Sequence, residues 1–259
     1  VSRWLLSHMP GPALVLLVVG VFALAGAILL AVVRRFVKPY LPKWNGGLPV
    51  ALGLYGAIYG VILAFSIVVL WQELQTAQTD VAEEATALSQ LVRNAQVFDG
   101  EARAAVDGAV DRYVHDVVED EWPTMKAGKK VTVASQPLEN LIATIQRLTP
   151  DSAKESVFYG DMVKNLDELI LNRRERIERS DHSLPPIFYA LVLGGGLAVT
   201  LLVCMLEIES LVAHLFLVMA VSVLLGFSTT LIVTLDYPFM GDLAVSPHVF
   251  KEGVLQRFW

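Results

Sequence analysis

Cysteine is almost missing from these 259 residues, with Cys204 alone. A single thiol excludes an intrachain disulfide and a metal site built from cysteines, and inside an apolar run it reads as a small core residue. Charge is scarce too, at 18% of residues against ~25% in soluble domains. The scarcity is concentrated. Pro10–Val33, Asn45–Gln72, Leu184–Leu206 and Leu215–Leu235 hold no Asp, Glu, Lys or Arg. A helix rises 1.5 Å per residue and the hydrocarbon core is ~30 Å thick, so ~20 apolar residues span it, and each run is long enough. No ionisable side chain stands at the centre of any run, which argues against a proton relay. A nucleophile elbow, a phosphate-binding glycine loop and a paired-His zinc motif are all missing. The sequence therefore offers no support for an enzyme and implies neither cofactor nor metal.

The charge that is present lies in the middle. Residues 73–181 contain 21 acidic and 13 basic residues, a net of −8, while the rest of the chain nets +2. Such an acidic stretch is a poor nucleic-acid binder, because phosphate contact needs an excess of Lys and Arg. The expected organisation is an all-α membrane protein. Four transmembrane helices form two hairpins, with a helical extramembrane bundle between the second and third. The divisions are 1–72 for the first hairpin, 73–183 for the acidic module, 184–241 for the second hairpin and 242–259 for a tail. The first run exceeds the 7–15 residues of a signal-peptide core and closes on Arg34 and Arg35, so it reads as a retained span. Pro39, Pro42 and Gly46-Gly47 turn the chain after it, with Tyr40 and Trp44 suited to the headgroup region. Glu207, Glu209 and Ser210 make the short break between the last two spans.

The two halves disagree on orientation. Arg34, Arg35, Lys38 and Lys43 favour a cytoplasmic first connection. Arg3, Arg173, Arg174, Arg176, Arg179, Lys251 and Arg257 lie on the other side, and the larger basic count puts the module in the cytoplasm.

The second helix is expected to continue past Trp71, since Leu74, Ala77, Val81, Ala85, Leu88, Val92 and Ala95 keep a helical spacing. It would run ~70 Å before Asp99-Gly100 breaks it. A further helix carries Val106, Val110, Tyr113 and Val117, and Trp122-Pro123 with Gly128 starts a loop. Leu138, Ile142, Ile145 and Leu148 mark the next helix. Asp151 caps the last one, with Phe158, Met162, Leu166, Leu169 and Ile177 on its inner face.

Several of these residues carry a resemblance. Gly60-Val61-Ile62-Leu63-Ala64-Phe65, Glu83-Glu84-Ala85, Tyr113, Glu121-Trp122-Pro123, Met125, Arg173-Arg174-Glu175-Arg176, Leu184-Pro185-Pro186 and Leu235-Asp236-Tyr237-Pro238-Phe239-Met240-Gly241 follow in order along the chain. Together they resemble the bestrophin-like bacterial membrane proteins, a family without a settled function. The resemblance implies kinship to bestrophins, which are pentameric anion channels with a pore lined by the second helix. The Asn-Pro loop beside the pore and the acidic calcium clasp after the last span have no counterpart here. Subunit number, anion preference and calcium gating are therefore not carried over.

The expected sites follow. Gly53, Gly56, Gly60 and Ala64 form a stripe of small residues for close helix packing, within one subunit or between subunits. The opposite side, Ile58, Ile62, Phe65 and Val69, faces lipid or a neighbouring helix, or in a ring of subunits lines a hydrophobic constriction. Asp236 either sits at a pore mouth or pairs with Arg173, Arg174 or Arg176. That arginine cluster would equally suit anionic lipid headgroups. Gly194-Gly195-Gly196 permits a close crossing or a hinge. Ser222, Thr229, Thr230 and Thr234 either line a polar path or bond to backbone carbonyls. His214 reads as an interface residue. Asp116 with Glu119-Asp120-Glu121 is an acidic knot at a solvated helix end, with a divalent-cation site as the sharper alternative.

The leading expectation is a homo-oligomeric ion channel whose partners are the bilayer, further copies of itself and inorganic ions. The alternative is a non-conducting scaffold or signalling protein whose module binds a partner. An exposed Leu74–Ala95 surface would favour it.

Overall fold

The computed structural model describes residues 2–37 and 47–259. Lys38, Pro39, Tyr40, Pro42, Lys43, Trp44 and Gly46, expected to form the first connection, lie outside the described residues. Among the described residues all regular structure is helical. The helices are α1 (Ser2–His8), α2 (Gly11–Val32), α3 (Gly47–Asn94), α4 (Gly100–His115), α5 (Trp122–Lys126), α6 (Gln136–Gln146), α7 (Ala153–Asp181), α8 (Pro186–Met205) and α9 (Leu211–Leu235). Four are long and apolar enough to cross a membrane: α2 with its extension to Val37, α3, α8 and α9.

The chain divides into two compact units. The first comprises 1–72 and 183–236, the second 73–182 and 237–259. The residues from 237 onward, expected as the end of a hairpin and a separate tail, thus belong to the second unit.

In the first unit, α2 packs mainly along α9 and also touches α8, while α8 packs on α9. The chief neighbour of α2 is therefore a helix far away in sequence, and not α3 as a hairpin would have it. Small residues at the crossing explain the choice. A Cβ on Gly226 would stand 2.8 Å from Val19 Cα, and one on Gly26 would meet Ser222 and Val218. Two backbones approach there as only glycine permits, and lipid-embedded helices gain from that through dispersion. Pro10 opens α2, and Ser210 caps α9 by accepting from Ala213 N at 3.3 Å. The last span accordingly starts at Leu211, one turn before the Leu215 expected from composition.

In the second unit, Leu74, Ala77, Val81, Ala85, Leu88, Val92 and Ala95 are all buried, as are Val106, Val110, Tyr113 and Val117. A fully buried Val or Leu contributes about 1.5–3 kcal/mol, so these stripes hold the unit together. Asp99 caps α4 through Ala102 N at 2.7 Å. The cap of α7 is Ser152, accepting from Glu155 N, and not Asp151, whose own N–H donates to Glu155. Helix also continues where a loop was expected. A π-helical turn, Asp116–Glu121, leads into α5. Pro123 has no N–H for the Glu119 carbonyl and would press on it in an α register, so the wider turn before it relieves both problems. The helix ends at Lys126, and the chain turns away at Gly128, where φ is 67°.

Candidate functional site

The membrane part of α3 has three sides, marked by three consecutive residues. Tyr59 begins the covered side, which continues through Leu63, Ser66 and Leu70, all buried. The Tyr59 hydroxyl donates to the Val192 carbonyl at 2.6 Å, and Ser66 donates back to Ile62 O. The Tyr59 ring lies against Gly195 and Gly196, so the glycine triplet of α8 serves close packing, with Gly194 open. Helix α8 runs unbroken through the triplet.

One residue back, ~100° round the helix, lies the Ile58 side. Ile58 is 56% exposed, Phe65 68% and Val69 52%, with Ile62 half-buried. One residue forward is the Gly60 side. Gly53, Gly60 and Ala64 are exposed, Gly56 is half-buried, and a Cβ on any of the three glycines would meet nothing within 4 Å. Among the described residues nothing packs closely against the glycines of the stripe. The closely packed glycines are Gly26, Gly195, Gly196 and Gly226.

The second unit holds a buried ionic cluster. Glu84 on α3, Tyr113 on α4, Glu121 on the π-turn and Arg173 and Arg176 on α7 are all nearly or wholly inaccessible. Arg176 donates to Glu84 Oε2 and to Glu121 Oε2, each at 2.7 Å, and Arg173 to Glu121 Oε1 at 2.5 Å. The Tyr113 hydroxyl donates to Glu84 Oε1 at 2.7 Å. Arg173 also reaches the Val133 carbonyl at 2.6 Å, and Arg176 lies over the Trp122 ring. Burial alone would lower the Arg176 pKa, but the charge and hydrogen bonds of Glu84, with Glu121 beside it, lift it above its ordinary value. Burial, followed by the Glu84 charge, pushes the Tyr113 phenol up as well. Two carboxylates and two guanidiniums balance, which is the condition under which buried charge is tolerated. Arg179 extends the pattern to Asp80 at 2.6 Å and Glu73 at 2.7 Å. Asp116, raised by burial against the opposing Ser135 hydrogen bond, holds the N-cap of α6.

These contacts correct several expectations. Asp236 takes its hydrogen bonds within the first unit. It is buried, accepting from Leu184 N at 2.7 Å and from the Tyr189 hydroxyl at 2.6 Å. The donor is Leu184 because Pro185 and Pro186 have no N–H to offer at the start of α8. Arg173 and Arg176 are spent on glutamates and cannot serve lipid headgroups, while Arg174 is exposed. Glu121 turns inward out of the acidic knot. Among the described residues no group of His, Cys, Asp and Glu is placed to hold a metal. Thr230 and Thr234 bond to carbonyls one turn back, and Ser222 is buried opposite Gly26, so they do not line a polar path. His214, at the start of α9, is fully buried, with its ring on the Val203 carbonyl at 3.0 Å. Cys204 is buried as expected.

Glu84, Tyr113, Glu121, Trp122, Met125, Arg173 and Arg176 all belong to the elements that carried the resemblance, and the fold brings them to one place. An all-helical membrane protein with this buried cluster and four candidate spans is the class defined so far. The Bestrophin-like domain model matches residues 19–250, and the chain belongs to that family. Two crystal structures of a bacterial bestrophin homologue from Klebsiella pneumoniae share the fold. One has a TM-score of 0.70 at 14% identity, covering 94% of this chain and 98% of that one. The other scores 0.70 at 15%, covering 94% and 96%. A crystal structure of a membrane protein scores 0.69 at 13%, covering 94% and 97%. No curated protein matches the sequence.

Proposed function

We propose that this chain is the subunit of a homo-oligomeric ion channel, with the membrane part of α3 lining the pore. The observation that carries the reading is the uncovered surface of that helix. Among the described residues its own chain buries the Tyr59–Leu63–Ser66–Leu70 side and leaves the other two sides largely bare. The Gly53, Gly56, Gly60 and Ala64 side has room for a second backbone, supplied by a neighbouring copy. The Ile58, Ile62, Phe65 and Val69 side then faces the axis, where a ring of apolar side chains gates by dewetting. Residues 73–183 form a helical module outside the bilayer, on the cytoplasmic side by the basic-residue count. Family membership favours the reading. The partner-binding alternative loses its main support, because Leu74 through Ala95 face inward.

The test is ion flux from proteoliposomes under K⁺, Na⁺ and Cl⁻ gradients. The wild type conducts above empty liposomes, and Phe65→Ala, which widens the constriction, changes the rate. No flux from folded protein would reject the proposal.

A further inference from the structure

Between Gly47 and Leu70, α3 carries three polar side chains: Tyr55, Tyr59 and Ser66. Tyr59 and Ser66 are buried and bonded to carbonyls. Tyr55 is different. It is 40% exposed, and among the described residues its hydroxyl takes no hydrogen-bond partner. Eight residues past the start of the helix, its Cα lies ~12 Å along a span whose hydrocarbon core is ~30 Å thick. A phenol hydroxyl facing acyl chains at that depth would lose the hydrogen bonds it makes in water, a cost hydroxyls in lipid avoid by finding partners. The spacing says where the partner is. Tyr55, Ile58, Ile62, Phe65 and Val69 follow one another by three, four, three and four residues, so Tyr55 continues the Ile58 side by one turn. Four residues before Tyr59, it stands on the flank nearer the covered side, ~40° round the helix from it.

We infer that Tyr55 is a conduction-determining residue, its hydroxyl facing the water of the pore at one end of the apolar constriction. The inference rests on the channel reading. In a ring of subunits these hydroxyls form a polar collar before the dry stretch. An ion that sheds water to enter the constriction meets phenol oxygens if it is a cation and O–H groups if it is an anion. The collar thus lowers the step at one mouth and leaves the other apolar.

The experiment compares proteoliposome flux for wild type, Phe65→Ala, Tyr55→Phe and Tyr55→Cys. Tyr55→Phe removes only the oxygen, and flux falls roughly two- to tenfold, the loss of about one net hydrogen bond from the ion's path. Tyr55→Cys loses flux on treatment with a membrane-impermeant thiosulfonate, whereas treated wild type does not, since Cys204 is fully buried. Lipid would hide a thiol at position 55 from that reagent. Conduction that responds to Phe65→Ala but not to Tyr55→Phe overturns the inference and leaves the channel standing. Reduced flux in Tyr55→Phe with an unreactive Tyr55→Cys also overturns it, because the hydroxyl then acts by packing. Absence of flux in the wild type overturns the channel reading itself, and the inference with it.

Discussion

One helix, α3, is built by two different rules. Up to Gln72 it belongs to the first unit, carries no charge and is covered along a single side. Beyond Glu73 it belongs to the second, and nearly every third or fourth residue is buried, including Asp80 and Glu84. The membrane part can leave Ile58, Phe65 and Val69 bare because lipid or other protein accepts them. The later part needs a core of its own and secures it with paired charges. Close backbone packing at glycines does in the first unit what the Arg–Glu cluster does in the second.

The largest expected effect lies in the second unit. Arg176→Ala strands Glu84 and half of Glu121 as buried carboxylates, and stability falls by about 3–5 kcal/mol, read by chemical denaturation in detergent. In the first unit, Gly195→Val drives side-chain atoms into the Tyr59 ring and costs about 1–3 kcal/mol. The matched change Gly60→Val meets nothing within the subunit and leaves its unfolding unchanged, which sharpens the contrast between the two glycine sets. Tyr113→Phe removes one donor from a Glu84 that keeps both bonds to Arg176, for a loss of about 1 kcal/mol. The smallest effect is at Asp116. Its raised pKa means that the fold favours the neutral acid, a contribution present at low pH and lost as pH rises through that pKa. Asp116→Asn therefore raises the melting temperature relative to wild type at pH 7, and the difference closes toward pH 4.

The spans were legible because twenty uncharged residues in a row have few other uses, and the inner faces of α3, α4 and α7 because their spacing repeats every turn. The Arg–Glu cluster was not. It joins residues 52 to 92 positions apart, and arginines just before a span look like headgroup ligands until Glu84 and Glu121 are seen beside them. The pairing of α2 with α9 hides in two lone glycines, Gly26 and Gly226. The spacing of Gly53, Gly56, Gly60 and Ala64 shows a stripe of small residues, yet spacing cannot say whose backbone it meets. Pro123 reads as a stop in the sequence, although a π-turn lets helix continue through it.

Native mass measurement of the purified protein in lipid-containing detergent, beside Gly60→Leu, tests the central claim most directly. That claim is that the bare surface of α3 meets further copies of the chain around an ion path. A single defined oligomer that Gly60→Leu breaks into folded smaller species is the predicted result. A wild-type protein that is monomeric, or an oligomer indifferent to leucine at position 60, would contradict it.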